Sequence, residues 1–263
     1  MATSPITPRH PRWTGTGLSH PGLVRTSNQD AFSVDNDRGL WIVADGMGGY
    51  IGGQVASALA VTAIMDHVRS LLTAAPREAD SRSHVTTVLT QAISTAKSAL
   101  QARIANEPNL KSMGTTVVTA WFLPDPEPSM AIAHVGDSRA YRIRGTHLEP
   151  ITTDHSLVQQ LVAEGHITPD QAHDHPKRNV ITRALGLNFS SVPDVAVHPL
   201  NPDDVFLLCT DGLTKMLSDE EILAIVLDSK DAPEKACQLL IDRANGVGGL
   251  DNTTALLITP QTK

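Results

Sequence analysis

Only two cysteines, Cys209 and Cys237, occur in 263 residues. That is too few for a disulfide framework or a cysteine-rich zinc cluster. Cys209 stands in an apolar run and reads as a small core residue. A reducing cytoplasm is therefore the expected setting. Aromatic residues make up 3% of the chain, which leaves no stacking platform for single-stranded nucleic acid. Cationic excess is missing too: 21 Lys and Arg stand against 28 Asp and Glu, a formal net charge of -7. Binding to a nucleic-acid backbone needs the opposite balance, so no nucleic-acid partner is expected. A small phosphorylated group held through metal ions remains compatible with that charge. No apolar run approaches the roughly 20 residues that span a bilayer, and direct membrane association is not expected. Residues 1–13 carry Pro5, Pro8 and Pro11 and no apolar stretch. They do not resemble a signal peptide and are expected to form a flexible tail.

What the chain does have is core material, with 41% hydrophobic residues. Short β-branched apolar runs at 40–44, 115–123, 130–135, 140–144, 205–209 and 254–259 read as strands. The pair around the 124–128 loop reads as an antiparallel hairpin. Helical spacing of apolar residues marks 54–72 and 85–104. Thr168-Pro169-Asp170-Gln171 and Ser218-Asp219-Glu220-Glu221 carry helix-start signatures, and 231–234 resembles another. Hairpin-linked strands with helices at both ends predict a layered α+β fold, not an alternating βαβ one. Residues 14–263 are expected to form a single domain, with the polar segment 152–186 inserted over one edge.

Four aspartates stand between apolar runs and glycines. They are Asp45 in Ala44-Asp45-Gly46-Met47-Gly48-Gly49, Asp137 in Val135-Gly136-Asp137-Ser138-Arg139, Asp211 in Thr210-Asp211-Gly212, and Asp251 in Gly249-Leu250-Asp251-Asn252. A strand end is a rigid mount for a carboxylate, and the neighbouring glycine lets the backbone turn sharply. Carboxylates brought together repel and resist ionising. A hard divalent cation such as Mg²⁺ or Mn²⁺ relieves that repulsion. Taken singly, each Asp-Gly pair reads equally well as a strand-terminating turn.

The ordered set adds Arg25-Thr26-Ser27-Asn28-Gln29-Asp30 and Gly114-Thr115-Thr116, and ends at Asp251-Asn252-Thr253-Thr254. Together these strings resemble the motifs of the metal-dependent protein phosphatases, the type 2C serine/threonine phosphatases, in their compact bacterial form. The resemblance runs from about residue 14 to 259. It implies a four-layer α/β/β/α sandwich of two antiparallel sheets flanked by helices. It implies a centre of two Mn²⁺ or Mg²⁺ ions. Asp45 would bridge both, the Gly46 carbonyl would bind one, and Asp211 and Asp251 would complete the set. Asp137 resembles the ligand of a third, weaker ion. Arg25 would grip the substrate phosphate, and Asp30 would support the centre through hydrogen bonds from behind. The 152–186 segment corresponds to a mobile flap, and Ser156 within it is expected to touch substrate. The implied activity is hydrolysis of phosphoserine and phosphothreonine on proteins by a metal-bridging hydroxide. The implied partners are phosphoprotein substrates and an opposing serine/threonine kinase, and a monomer is expected.

Two positions depart from the family's pattern. Met47 stands where many eukaryotic relatives have a histidine general acid, although bacterial members commonly have Met. Gln54 replaces a usual acidic residue, which implies a weaker water-mediated metal contact. The rival reading is a weakly active module that binds phosphoproteins. Retention of Asp45, Asp137, Asp211 and Asp251 together speaks for the enzyme. His134 reads as a core or edge residue and His173-Asp174-His175 as a solvated loop. Arg139 and Arg183 read as structural ion-pairing residues.

Overall fold

A computed structural model describes residues 13–49, 51–74, 82–124, 127–186 and 189–261. The expected tail lies almost wholly outside the described residues. Its last member, Trp13, does not belong to a tail. It is buried as the first residue of a strand, and its indole N–H donates to the Asp204 carbonyl at 3.0 Å.

Among the described residues, the strands form two antiparallel sheets. The first runs β1 (Trp13–His20), β12 (Thr253–Pro260), β11 (Val205–Cys209), β7 (Arg139–Arg144) and β8 (His147–Pro150). The second runs β10 (Asp194–Pro199), β6 (Ser129–Val135), β5 (Val117–Leu123), β3 (Leu40–Met47), β4 (Gly114–Thr115) and β9 (Leu185–Gly186), with β2 (Asp30–Asp35) paired to β3. Side chains alternate across a strand, and β3 shows what this builds. Leu40, Ile42 and Ala44 face the helices α1 (Gly52–Ala74) and α2 (Arg82–Asn106). Trp41 and Val43 face the other sheet, in a core with Trp13, Phe206 and Ile258. A strand buried on both faces is apolar at every position, hence the unbroken run at 40–44.

The third core lies under the five-stranded sheet. There α5 (Asp211–Thr214), α6 (Asp219–Asp228) and α7 (Pro233–Gly246) pack Leu213, Ile222 and Leu240 against Leu207 and Leu257. The expected four-layer α/β/β/α sandwich is the observed one. No helix among the described residues is long and apolar enough to cross a membrane.

Local details refine the expectations. Ser218 with Glu221, and Thr168 with Gln171, form reciprocal capping boxes, so α6 and α4 (Pro169–His173) start as predicted. The helix expected from 231–234 starts at Pro233, with Ala232 as an N-cap that makes no side-chain bond. The 115–123 run splits into β4 and β5 at Thr116, whose N–H donates to the Asp45 carbonyl at 2.9 Å. The 140–144 run does not extend the sheet of β6. It becomes β7 in the other sheet, so residues 136–138 form the crossover between sheets.

Candidate metal centre

The aspartates converge because both sheets end at the same place. Asp45 lies at the end of β3, in register with Asp30 on β2. Asp211 follows β11 and opens α5, Asp251 precedes β12, and Asp137 sits in the crossover. Asp45, Asp137, Asp211 and Asp251 line one cleft of about 730 Å³, with Arg25 and Gly46.

Threonines hold these ends together. Asp30 Oδ2 accepts hydrogen bonds from the hydroxyls of Thr210 (2.9 Å) and Thr254 (2.7 Å), which stitches one sheet to the other. Thr116 Oγ1 accepts the Asp45 N–H at 3.0 Å and lies 2.7 Å from Ser138 Oγ. Thr115 donates its hydroxyl to the Asp45 carbonyl at 2.8 Å. Asn252 accepts the Gln29 N–H at 2.8 Å and donates to the Pro21 and Ser27 carbonyls, both at 2.9 Å. It thereby fixes the loop that carries Arg25.

The glycines serve closeness more than turning. Gly46 and Gly212 are not among the glycines with positive φ. A Cβ on Gly46 would lie 2.1 Å from the Gly53 carbonyl oxygen, and one on Gly212 would lie 2.0 Å from that of Asn252. Their absent side chains let backbone segments touch behind the ligands. Gly136 alone of these three needs a left-handed backbone, with φ +110°, and its Cβ would strike Thr116 at 2.5 Å.

Gathering this charge has a clear electrostatic signature. Burial pushes the Asp45 carboxyl well above the usual carboxylate range, and Asp30, Asp211, Asp137 and Asp251 push it further. Burial also lifts Asp30 to about 7, against the hydrogen bonds from Thr254 and Thr210 and with help from Asp211 and Asp251. Asp137 rises to about 7 through burial, then through Asp211 and Asp154. Two cations partly relieve the cluster. Arg25 Nη2 lies 2.9 Å from Asp251 Oδ2, and Lys215 pairs with Asp211. Burial works against the Lys215 charge, but Asp211, Asp137 and Asp251 outweigh it and raise its pKa. Arg25 is 56% exposed, so its ion pair is weak and readily exchanged.

These residues fit divalent cations. The Oδ1 atoms of Asp30 and Asp211 are buried and find no hydrogen-bond partner among the described residues. Orphaned buried carboxylate oxygens are costly unless a cation takes them. An all-oxygen donor set suits Mg²⁺ or Mn²⁺.

Of the expected site residues, Arg25, Asp45, Gly46, Asp137, Asp211 and Asp251 line the cleft, and Asp30 stands behind Asp45. Gln54 and Met47 line it as well. Ser156 is different. It is buried, its hydroxyl accepts the Gln159 N–H, and it caps α3 (Leu157–Ala163). The geometry makes it a helix cap that also lines a groove beside the cleft. Lys215 and the supporting roles of Thr116, Thr210 and Thr254 were not anticipated. Their trace in the sequence was the threonine within Gly114-Thr115-Thr116, Thr210-Asp211-Gly212 and Asp251-Asn252-Thr253-Thr254.

Two outcomes are expected. Without metal, folded protein holds a proton on Asp137 up to about pH 7, whereas an unfolded chain releases it near about pH 4. Between those values the folded state binds the extra proton, so this group's contribution to stability falls as pH rises. With chelator present, Asp137→Asn should therefore gain thermal stability over wild type progressively from about pH 4 to 7 and level off above it. A constant difference across that range would contradict the electrostatic account. Secondly, Thr116→Val strands the buried Asp45 N–H and Ser138 hydroxyl. It should cost about 1–3 kcal/mol in urea unfolding, and Thr116→Ser should recover most of it.

Comparison with known proteins agrees with this geometry. Residues 16–240 match the family model described as protein phosphatase 2C. The serine/threonine phosphatase Stp of Listeria welshimeri is 37% identical over 243 residues, which cover 90% of this chain and 92% of that protein. The serine/threonine protein phosphatase PstP of Mycobacterium tuberculosis is 37% identical over 239 residues, covering 91% of this chain and 43% of PstP. A crystal structure of that PstP superposes with a TM-score of 0.82 at 34% identity, covering 95% of this chain and 99% of that one. The PstP catalytic domain in complex with two manganese ions superposes with a TM-score of 0.78 at 32% identity, covering 94% and 97%. With the motifs, the sandwich and the aspartate cleft all in agreement, this chain belongs to the protein phosphatase 2C family.

Proposed function

We propose that the cleft hydrolyses phosphoserine and phosphothreonine esters on protein substrates. The observation that carries this reading is the convergence of four aspartates from separate elements, beside buried oxygens of Asp211 and Asp30 that find no hydrogen-bond partner among the described residues. Asp45, Asp211, Asp251 and the Gly46 carbonyl would hold two ions, Mn²⁺ or Mg²⁺, and Asp137 a third, weaker one. Bound there, the ions supply a water acidic enough to attack phosphorus at neutral pH and positive charge for the phosphoryl oxygens.

The chain's own residues bind and orient. Arg25 stands at the cleft with a planar fork of donors suited to two phosphate oxygens. Its partner Asp251 is itself in the proposed ligand set, so the guanidinium can exchange that carboxylate for the substrate phosphate. Asp30 holds Thr210 and Thr254, and through them the β11 and β12 ends that carry Asp211 and Asp251. Met47 offers no proton for the leaving alkoxide.

Residues 14–263 would act as one catalytic unit, with 152–186 as a flap. That segment contributes Ser156, Val158, Val162 and Arg178 to a groove of about 630 Å³. The groove shares Arg25, Asp137, Asp211 and Asp251 with the cleft. Loops on a rigid scaffold are where substrate choice concentrates. The reading carries with it a cytoplasmic monomer that opposes a serine/threonine kinase, without nucleic-acid or membrane partners.

The decisive assay is phosphate release from a phosphothreonine peptide with Mn²⁺, with Mg²⁺ and with chelator. Release should need a metal, and Asp211→Asn should lower it by at least about 10²-fold. Folded wild type that releases nothing with either metal would leave a phosphoprotein-binding module instead. Replacing 152–186 with a relative's segment should change the preference among phosphoproteins and leave a small aryl phosphate turned over as before. Equal loss on both would remove the selecting role.

A further inference from the structure

His155 is buried at the root of the 152–186 segment, with its polar groups engaged on three sides. Its backbone N–H donates to the Gly136 carbonyl at 2.9 Å. The Gly136 N–H returns a hydrogen bond to ring Nδ1 at 3.1 Å. Nδ1 is therefore an acceptor, and the proton of the neutral ring sits on Nε2. Nε2 donates to Asp194 Oδ2 at 3.2 Å. Burial, first of all, holds His155 below the ordinary histidine range, despite the Asp194 hydrogen bond. The ring stacks on His134, with centroids 4.5 Å apart, and His134 Nε2 donates to the Thr153 carbonyl at 2.9 Å.

The same residue gathers both arms of the segment. Its carbonyl accepts the Thr182 N–H at 2.7 Å, and the next residue, Ser156, bridges Ile181. Gly136, on the other side, has little freedom. Its φ of +110° and its approach to Thr116 fix it against the residue that holds Asp45. His155 thus joins the segment's two arms through its backbone, and β10 and the crossover that carries Asp137 through its ring.

His134, His155 and Asp194 also have ligand atoms within 4.8 Å of one another, a spacing that could suit a metal ion. The His155 Nε2 proton points into that space. Arg183 Nη1 fills its edge, 3.2 Å from His155 Nε2 and 2.8 Å from Asp194 Oδ1. The cluster is a hydrogen-bonded lock, already charge-balanced by arginine.

We propose that His155 is a positioning residue for the Asp137 metal site: through Nδ1 it holds the Gly136–Asp137 turn in register with the seated root of the 152–186 segment. The proposal rests on the reading of Asp137 as a ligand of the weaker ion. It makes the segment and that ion site a coupled pair, with His155 as the mechanical link.

Two amide substitutions separate the ring nitrogens. Asn places its carbonyl oxygen near the position of Nδ1, whereas Gln reaches towards that of Nε2. The measurements are Mn²⁺ titration by electron paramagnetic resonance and amide hydrogen exchange at Gly136 in metal-free protein. His155→Gln should speed Gly136 exchange at least about tenfold and weaken the weakest Mn²⁺ equilibrium by about 10–100-fold, with the two tighter ions little changed. His155→Asn should stay close to wild type in both. On an Asp137→Asn background, His155→Gln should have no further effect on Mn²⁺ binding.

Faster Gly136 exchange with unaltered Mn²⁺ binding would overturn the coupling. So would a loss of affinity that persists on the Asp137→Asn background, or equal damage from Asn and Gln. If Asp137→Asn alone binds as many ions as wild type, the ligand assignment falls and takes the coupling with it. Gly136 exchange, read without metal, tells that failure apart from failure of the lock.

Discussion

The structure is organised around negative charge that cannot be left alone. Asp30, Asp45, Asp137, Asp211 and Asp251 act on one another where two sheets end together. Such a cluster would destabilise any fold that did not hold it by other means. Here the means are threonine hydroxyls, an asparagine that gathers a loop, and glycines that admit backbone into the space of a side chain. Arg25 and Lys215 supply partial neutralisation. The sandwich around this point is rigid because both sheets share the core of Trp13, Trp41 and Phe206. A carboxylate cluster needs that rigidity, since relaxation would let the charges separate and dissolve the site.

Much of the fold was legible in the residues. The run at 40–44 is apolar at every position because β3 is buried on both faces, and such runs stand out. Helix starts at Thr168 and Ser218 were legible because capping is local chemistry. The strands β1, β2, β8 and β10 were not singled out. Most of their residues are only half-buried or exposed, so their pattern is diluted. Whether a strand joins one sheet or the other is not encoded in its own periodicity. β6 and β7 are three residues apart in sequence, yet they lie in opposite sheets.

The candidate site divides in the same way. Aspartates at strand ends are conspicuous one by one, and their ordered motifs carried the family resemblance. The work of Thr116, Thr210 and Thr254 depends on register across different strands, which spacing along the chain does not reveal. Gly46 and Gly212 were expected to ease turns, and their real constraint is a neighbouring segment far away in sequence. Ser156 lies in a polar stretch, and its role as the cap of α3 was not read from it.

The pairing of β1 with β12 has a consequence in time. Trp13 stands opposite Pro260, and His20 opposite Thr253, so the first described strand closes against the last. Contacts this distant along the chain form late, because a long loop must be closed before they give any return. During synthesis the β1 edge therefore waits without its neighbour until β12 has emerged. Asp251 arrives with β12, and so do the Thr254 hydroxyl for Asp30 and the Asn252 amide for the Arg25 loop. The centre is thus withheld from a growing chain until β12 has been made.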